Sequence, residues 1–159
     1  METITAAIDE EDTGSFITKG FEVKVVGHGN EGLQAQLRVS DGIHSFRIRS
    51  DGLRWDGKWH QLTFVLDVGP RLGTCIVDDR LCDGGLAAAE GWAVFPKGMS
   101  SANGANIRFC PPATVRSPKS PFLGEVRDFQ VYMRPLLVSE IVAIHRDRLA
   151  ASPSSHSRL

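Results

Sequence analysis

Between Phe21 and Ile48 the chain alternates apolar and polar residues with a period of two, and it breaks that rhythm at turn-forming groups. Phe21, Val23 and Val25 alternate with Glu22 and Lys24. Leu33, Ala35, Leu37 and Val39 alternate with Gln34, Gln36 and Arg38, and Phe46 and Ile48 with Arg47 and Arg49. Gly27-His28-Gly29-Asn30 and Asp41-Gly42 separate the runs. A period of two sends successive side chains to opposite faces of a strand, so each run offers one face to a core and the other outward. Short alternating segments at this spacing, without a long helical pattern, restrict the chain to an antiparallel sandwich or barrel.

The second quarter sharpens the reading. After the turn pair Asp56-Gly57, Leu62, Phe64 and Leu66 alternate with Gln61, Thr63 and Val65 as a strand buried on one face does. Asp78-Asp79 then stands between two short apolar runs, where a two-residue hairpin needs residues that tolerate positive φ. Counting outward from that turn pairs Val77 with Arg80, Ile76 with Leu81 and Cys75 with Cys82. A hydrogen-bonded pair, with Cα atoms about 5.5 Å apart, is compatible with a disulfide, although its side chains diverge. Burial as two small hydrophobes is the alternative. The third cysteine is Cys110, and without a C-x-x-C unit the three do not form a zinc site.

This order of events resembles the laminin G-like family, also called the concanavalin A-like lectin/glucanase fold, whose middle commonly reads D-G-x-W-H followed by a strand and a V-D-G hairpin. Asp56-Gly57-Lys58-Trp59-His60 and Ile76-Val77-Asp78-Asp79 carry that likeness here, with Asp79 in place of the family glycine. A second likeness lies downstream, in Phe122-Leu123-Gly124-Glu125-Val126-Arg127-Asp128-Phe129-Gln130-Val131-Tyr132-Met133-Arg134-Pro135-Leu136 and Glu140-Ile141, similar to the family's closing strand. The resemblance implies an all-β fold, an antiparallel two-sheet β-sandwich of the jelly-roll kind with one concave sheet and one short C-terminal helix. It implies pairing of a first strand near Thr3 to Ile8 with a closing strand near Glu125 to Met133, and packing of Trp59 at the strand entry.

Ser15 to Thr18 and Ile107 to Cys110 read as further strands, and residues 84–122 as the irregular part of the domain. Ser139 to Leu149 reads as a helix with Ile141, Ile144 and Leu149 on one side. Leu137 occupies the position where an N-cap is usual, so the cap is missing or displaced to Ser139. The 159 residues, 42% hydrophobic, suffice for one domain over 1–150, with 151–159 as a disordered tail. The formal net charge is −1 and no basic stripe is visible, so neither nucleic acid nor a membrane surface is an expected partner. No apolar run approaches the roughly 20 residues of a membrane span. Met1-Glu2-Thr3-Ile4 lacks the features of a signal peptide. The chain is therefore intracellular, or a module cut from a longer and secreted protein; family modules commonly sit within larger proteins, which favours the second.

Several residues invite chemistry. His60 is a natural acid/base, but no Ser or Cys nucleophile lies near it in sequence, and a structural role at the strand start is the preferred reading. Asp9-Glu10-Glu11-Asp12 offers hard oxygens to calcium without the ligand spacing of a dedicated loop, so a solvated turn is expected and no cofactor or metal is assigned. Glucanase relatives carry E-x-D-x-x-E on one strand, and no such triplet occurs; Glu125 and Asp128 fail the spacing. An enzyme is not expected. Binding remains, of a carbohydrate as a module accessory to a polysaccharide-acting protein, or of a protein partner, or of a neighbouring domain. Sugar recognition uses aromatic rings against CH faces, with amides and Arg on hydroxyls. The candidates are Trp92, Phe95, Asn103 and Asn106 in the irregular part, and Arg54 and Trp55 beside the Asp56-Gly57 turn. For Trp92 two readings stand, a ligand platform or a plug over the core.

Overall fold

The computed structural model describes residues 7–8, 20–27, 33–50, 56, 58–82, 91–100, 120–121 and 125–151. These form a mostly β molecule with a C-terminal helix. Strands β2 (Gly20–Gly27), β3 (Leu33–Ser40) and β4 (Ser45–Arg49) make an antiparallel sheet in the order β2-β3-β4. A second antiparallel sheet is built around β6 (Leu72–Val77), which pairs with β5 (Leu62–Asp67), β7 (Arg80–Leu81) and β8 (Trp92–Val94). A small pair joins β1 (Ala7–Ile8) to β9 (Ser120–Pro121).

The period-two pattern explains the first sheet directly. Register aligns Phe21 with Val39 and Phe46, and Val23 with Leu37 and Ile48, giving one apolar face across three strands. That face meets Cys75, Cys82 and Phe95 of the second sheet in a single core, with Phe64, Val77, Ala93 and Met99 packed at its margin. Gly73 marks the closest approach. A Cβ there would stand 2.5 Å from Ile48 Cδ1 and 3.2 Å from the rings of Phe46 and Phe95. Phe46 and Phe95 stack across the interface with centroids 4.4 Å apart.

The opposite face of β2-β3-β4 is polar, as the alternation requires, yet Glu22, Lys24 and Gln36 on it are buried. Lys24 Nζ lies 3.1 Å from Glu22 Oε2, an ion pair without a well-aligned hydrogen bond, and Arg49 Nε donates to Gln36 Oε1 at 3.2 Å. Asp41 fastens the β3–β4 turn. Its carboxylate accepts the N–H of Ile43 (2.9 Å) and His44 (2.6 Å), and that of Ser100 (2.7 Å) from the segment after β8. These bonds, that from His44 foremost, hold its carboxyl far below the usual carboxylate range.

The Asp78-Asp79 hairpin forms as its residues suggest, with Asp78 at φ 57° and the pairs Ile76↔Leu81 and Val77↔Arg80. Cys82 N–H donates to Cys75 C=O at 2.9 Å, one of the two bonds of a hydrogen-bonded pair; the Cys75 N–H donates instead to Gly91 C=O. No disulfide joins the two; both are buried core residues.

Three expectations are corrected. The partner of β1 is Ser120–Pro121, and residues 125–132 carry no strand. Their apolar residues change phase, Val126 against Phe129 and Val131, and Asp128 between them adopts φ 54°, so no one face could be buried. Trp59 is 47% exposed rather than packed, its ring covered by the Arg127 guanidinium at 4.1 Å. Among the described strands β5 borders β6 alone, so Phe64 is half-buried at the core margin and Leu66 is exposed.

Helix α1 (Val138–Ala151) begins one residue before the expected start. Its cap is supplied from inside: Glu140 Oε2 accepts the Leu137 N–H at 2.8 Å, the Glu half of a capping box. Arg134 grips the same carboxylate with two bonds, 2.8 and 2.6 Å. Ile141 is buried and Ile144 half-buried, while Leu149 is exposed. The segments expected as strands at 15–18 and 107–110, the acidic run 9–12, Cys110 and the tail from 152 lie outside the described residues.

Candidate binding face around Trp92

Trp92 lies on a strand. Cys75 is where β6 changes partners along one edge: its C=O accepts from Cys82, and its N–H donates to Gly91 C=O at 2.8 Å. β7 therefore ends where β8 begins. Only glycine fits at 91, because a Cβ there would meet the Cys82 carbonyl oxygen at 2.1 Å. From that point Ala93 turns to the core, and Trp92 and Val94 turn to the other face, 45% and 53% exposed. The far end of β8 is tied by Phe95 N–H to Arg71 C=O at 2.7 Å.

Register sets the surroundings of the indole. Trp92 stands opposite Thr74, which stands opposite Val65; the next row is Val94, Leu72 and Asp67, and the row on the other side Leu81, Ile76 and Thr63. The bonds at Cys75–Gly91 and Arg71–Phe95 place Trp92 and Thr74 in a non-hydrogen-bonded pair, the closer of the two antiparallel kinds. Thr74 and Val65 are half-buried, Ile76 is fully buried and Leu81 is exposed, so the open part of the face runs along Leu81, Trp92 and Val94. The face thus combines one aromatic ring, two threonine hydroxyls, a carboxylate at its margin and exposed aliphatic side chains. Asp67 Oδ1 already accepts the Gly69 N–H at 3.0 Å.

Of the binding residues singled out in the sequence, two are described, and of these Trp92 falls on this face and Phe95 does not. Phe95 is buried with its ring against Phe46. Arg54, Trp55, Asn103 and Asn106 lie outside the described residues. Thr74, Val65 and Val94 were missed; the signal was the alternation Trp92-Ala93-Val94-Phe95, masked by the small residues before it.

Beside the Asp56 turn a second polar group forms. His60 Nδ1 lies 3.1 Å from Asp78 Oδ2, and its Nε2 lies 3.1 Å from Asp56 Oδ1. The bond to Asp78, with a smaller one to Asp56, raises the His60 pKa against the effect of partial burial. The Asp56 carboxyl is lowered, first by the Lys58 N–H and then by His60. Among the described residues no group of three or more His, Cys, Asp or Glu side chains is arranged to hold a metal ion, and no helix is long and apolar enough to cross a membrane.

No family model matches the sequence, and no curated protein matches it. A solved structure with some similarity is that of an S-layer domain-containing protein from Clostridium thermocellum ATCC 27405, 14% identical, with a TM-score of 0.40 over 86% of this chain and 70% of that one.

Proposed function

We propose that this chain is a non-catalytic, carbohydrate-binding module of the laminin G-like jelly-roll kind, accessory to a larger polysaccharide-acting protein, and that it binds on the Trp92 face. The observation that supports this is a half-exposed indole on a strand bonded at both ends, with the Thr74 hydroxyl in the adjacent cross-strand position. A ring held in this way can lie against the CH face of a pyranose at little entropic cost, while hydroxyls beside it set orientation. The absence of an E-x-D-x-x-E strand is the basis for the non-catalytic reading. Hydrolysis of β-glucans is expected to be nil, and Glu125→Gln to change nothing.

The test is a glycan array with and without calcium, followed by titration of the best ligand against Trp92→Ala. Loss of one stacked ring is worth about 1–3 kcal/mol, roughly a fivefold to 150-fold drop in affinity, with the fold unchanged. Unchanged affinity would move the site elsewhere. A protein or a neighbouring domain seated on the same face is the second reading, favoured by exposed Val94 and Leu81, which extend the strip with side chains a sugar does not need. An array without hits would favour it.

A further inference from the structure

The Asp56–His60–Asp78 group joins two turns that are separate in sequence, and it does so through both nitrogens of one imidazole. Only the imidazolium has two N–H donors; the neutral ring has one donor and one lone pair, and the lone pair would face a carboxylate. From this geometry we infer that His60 is a pH-operated latch, closed when protonated, that holds Asp56, Lys58 and Trp59 against the β6–β7 turn and releases them on deprotonation.

The charged groups around the ring are Asp56 and Asp78, with Lys58 Nζ 3.5 Å from the outer oxygen of Asp56 and Arg127 stacked on the neighbouring Trp59. Both carboxylates bond the ring directly, one at each nitrogen, and this favours the cation. The hinge is Gln61. Its N–H donates to Asp78 Oδ1 at 3.0 Å, and its C=O accepts the Asp78 N–H at 2.8 Å; neither bond uses the imidazole. The β5–β6 ladder therefore persists when the latch opens. What comes loose lies before Gln61: Lys58, Trp59 and the turn at Asp56. The latch opens as pH rises through the value that His60 has in the fold, which lies above the ordinary histidine value, and its contribution to stability is fully present below about 6.5.

The experiment is an NMR titration of the full chain from mildly acid to mildly alkaline pH, following the His60 imidazole and the Trp59 indole N–H. In the wild type the His60 midpoint lies above that of the urea-unfolded chain, and the Trp59 resonance moves with the same midpoint. Asp78→Asn lowers the proton affinity of His60, and Asp56→Asn lowers it by less. His60→Gln leaves Trp59 insensitive across the range. Should Asp78→Asn fail to fold, Asp56→Asn decides, since it touches no strand. An unchanged His60 midpoint in the folded asparagine variants, or a Trp59 resonance that does not follow His60, overturns the latch.

Discussion

The hairpin around β6 and the stretch from Glu125 to Leu137 both carry alternating apolar residues and family-like spacing, and they end up in opposite conditions. β6 is bonded on both edges and buries Cys75 and Ile76 completely. The later stretch has no strand, exposes Val126, Phe129, Val131, Tyr132 and Met133, and is held by side chains: Arg127 on Trp59, Arg148 to the Asp128 carbonyl, Arg134 on Glu140. The hairpin is specified locally, by a turn that tolerates positive φ and by partners a few residues away. The later stretch needs partners far off in sequence and an apolar pattern that keeps phase, and its phase slips at Asp128.

If that contrast is right, truncations should divide sharply between the two regions. Ile48→Ala, opposite Gly73 in the core, should cost about 2–5 kcal/mol in denaturant unfolding. The matching change Val131→Ala should stay within about 0.5 kcal/mol, as surface changes do. Comparable losses at both positions would mean that the later stretch is packed in solution.

Phe64→Ala measures the sheet's margin. A fully buried phenylalanine would cost about 3–5 kcal/mol, but Phe64 is half-buried on β5, and about 1–3 kcal/mol is expected. A larger loss would show that β5 is covered on its outer edge.

The same contrast explains what the sequence disclosed. The faces of β2, β3 and β4, the Asp78-Asp79 turn and the Cys75–Cys82 pairing could all be read, because period and turn chemistry act over a few residues. Burial of Glu22, Lys24 and Gln36 could not, since alternation says which face a residue takes and not whether that face meets water. β8 was hidden by its length, three residues after a run of small ones. Of the binding face only Trp92 was legible, since Thr74 and Val65 join it through register alone.

Trp59 separates motif from environment. Its place in a motif resembling the laminin G-like one suggests a packed ring whose loss would cost stability first. Exposed, with Arg127 above it, the ring should contribute about 0.5–1 kcal/mol through that contact. Trp59→Ala should therefore be nearly as stable as the wild type by thermal unfolding. A loss on the scale of Ile48→Ala would place the ring in the core.

The smallest effect belongs to the cap of α1. Arg134, and then the Leu137 N–H, depress the Glu140 carboxyl to about 2. A depressed carboxyl adds stability above its unfolded value and loses it as pH falls through the folded one. The cap is thus intact above about 4.5 and fades towards about 2. Because both partners reach solvent, the change should be confined to the first turn of the helix. The protection of the Leu137 amide, its exchange rate taken relative to the intrinsic rate at each pH, should fall between those limits in the wild type. Glu140→Gln should already exchange quickly at neutral pH, because the amide keeps an acceptor but loses the charge that draws Arg134. The midpoint of global unfolding should hardly move in either case. If it shifted strongly with Glu140, the helix and the stretch before it would be coupled to the sheets, and the division between the two regions would fail.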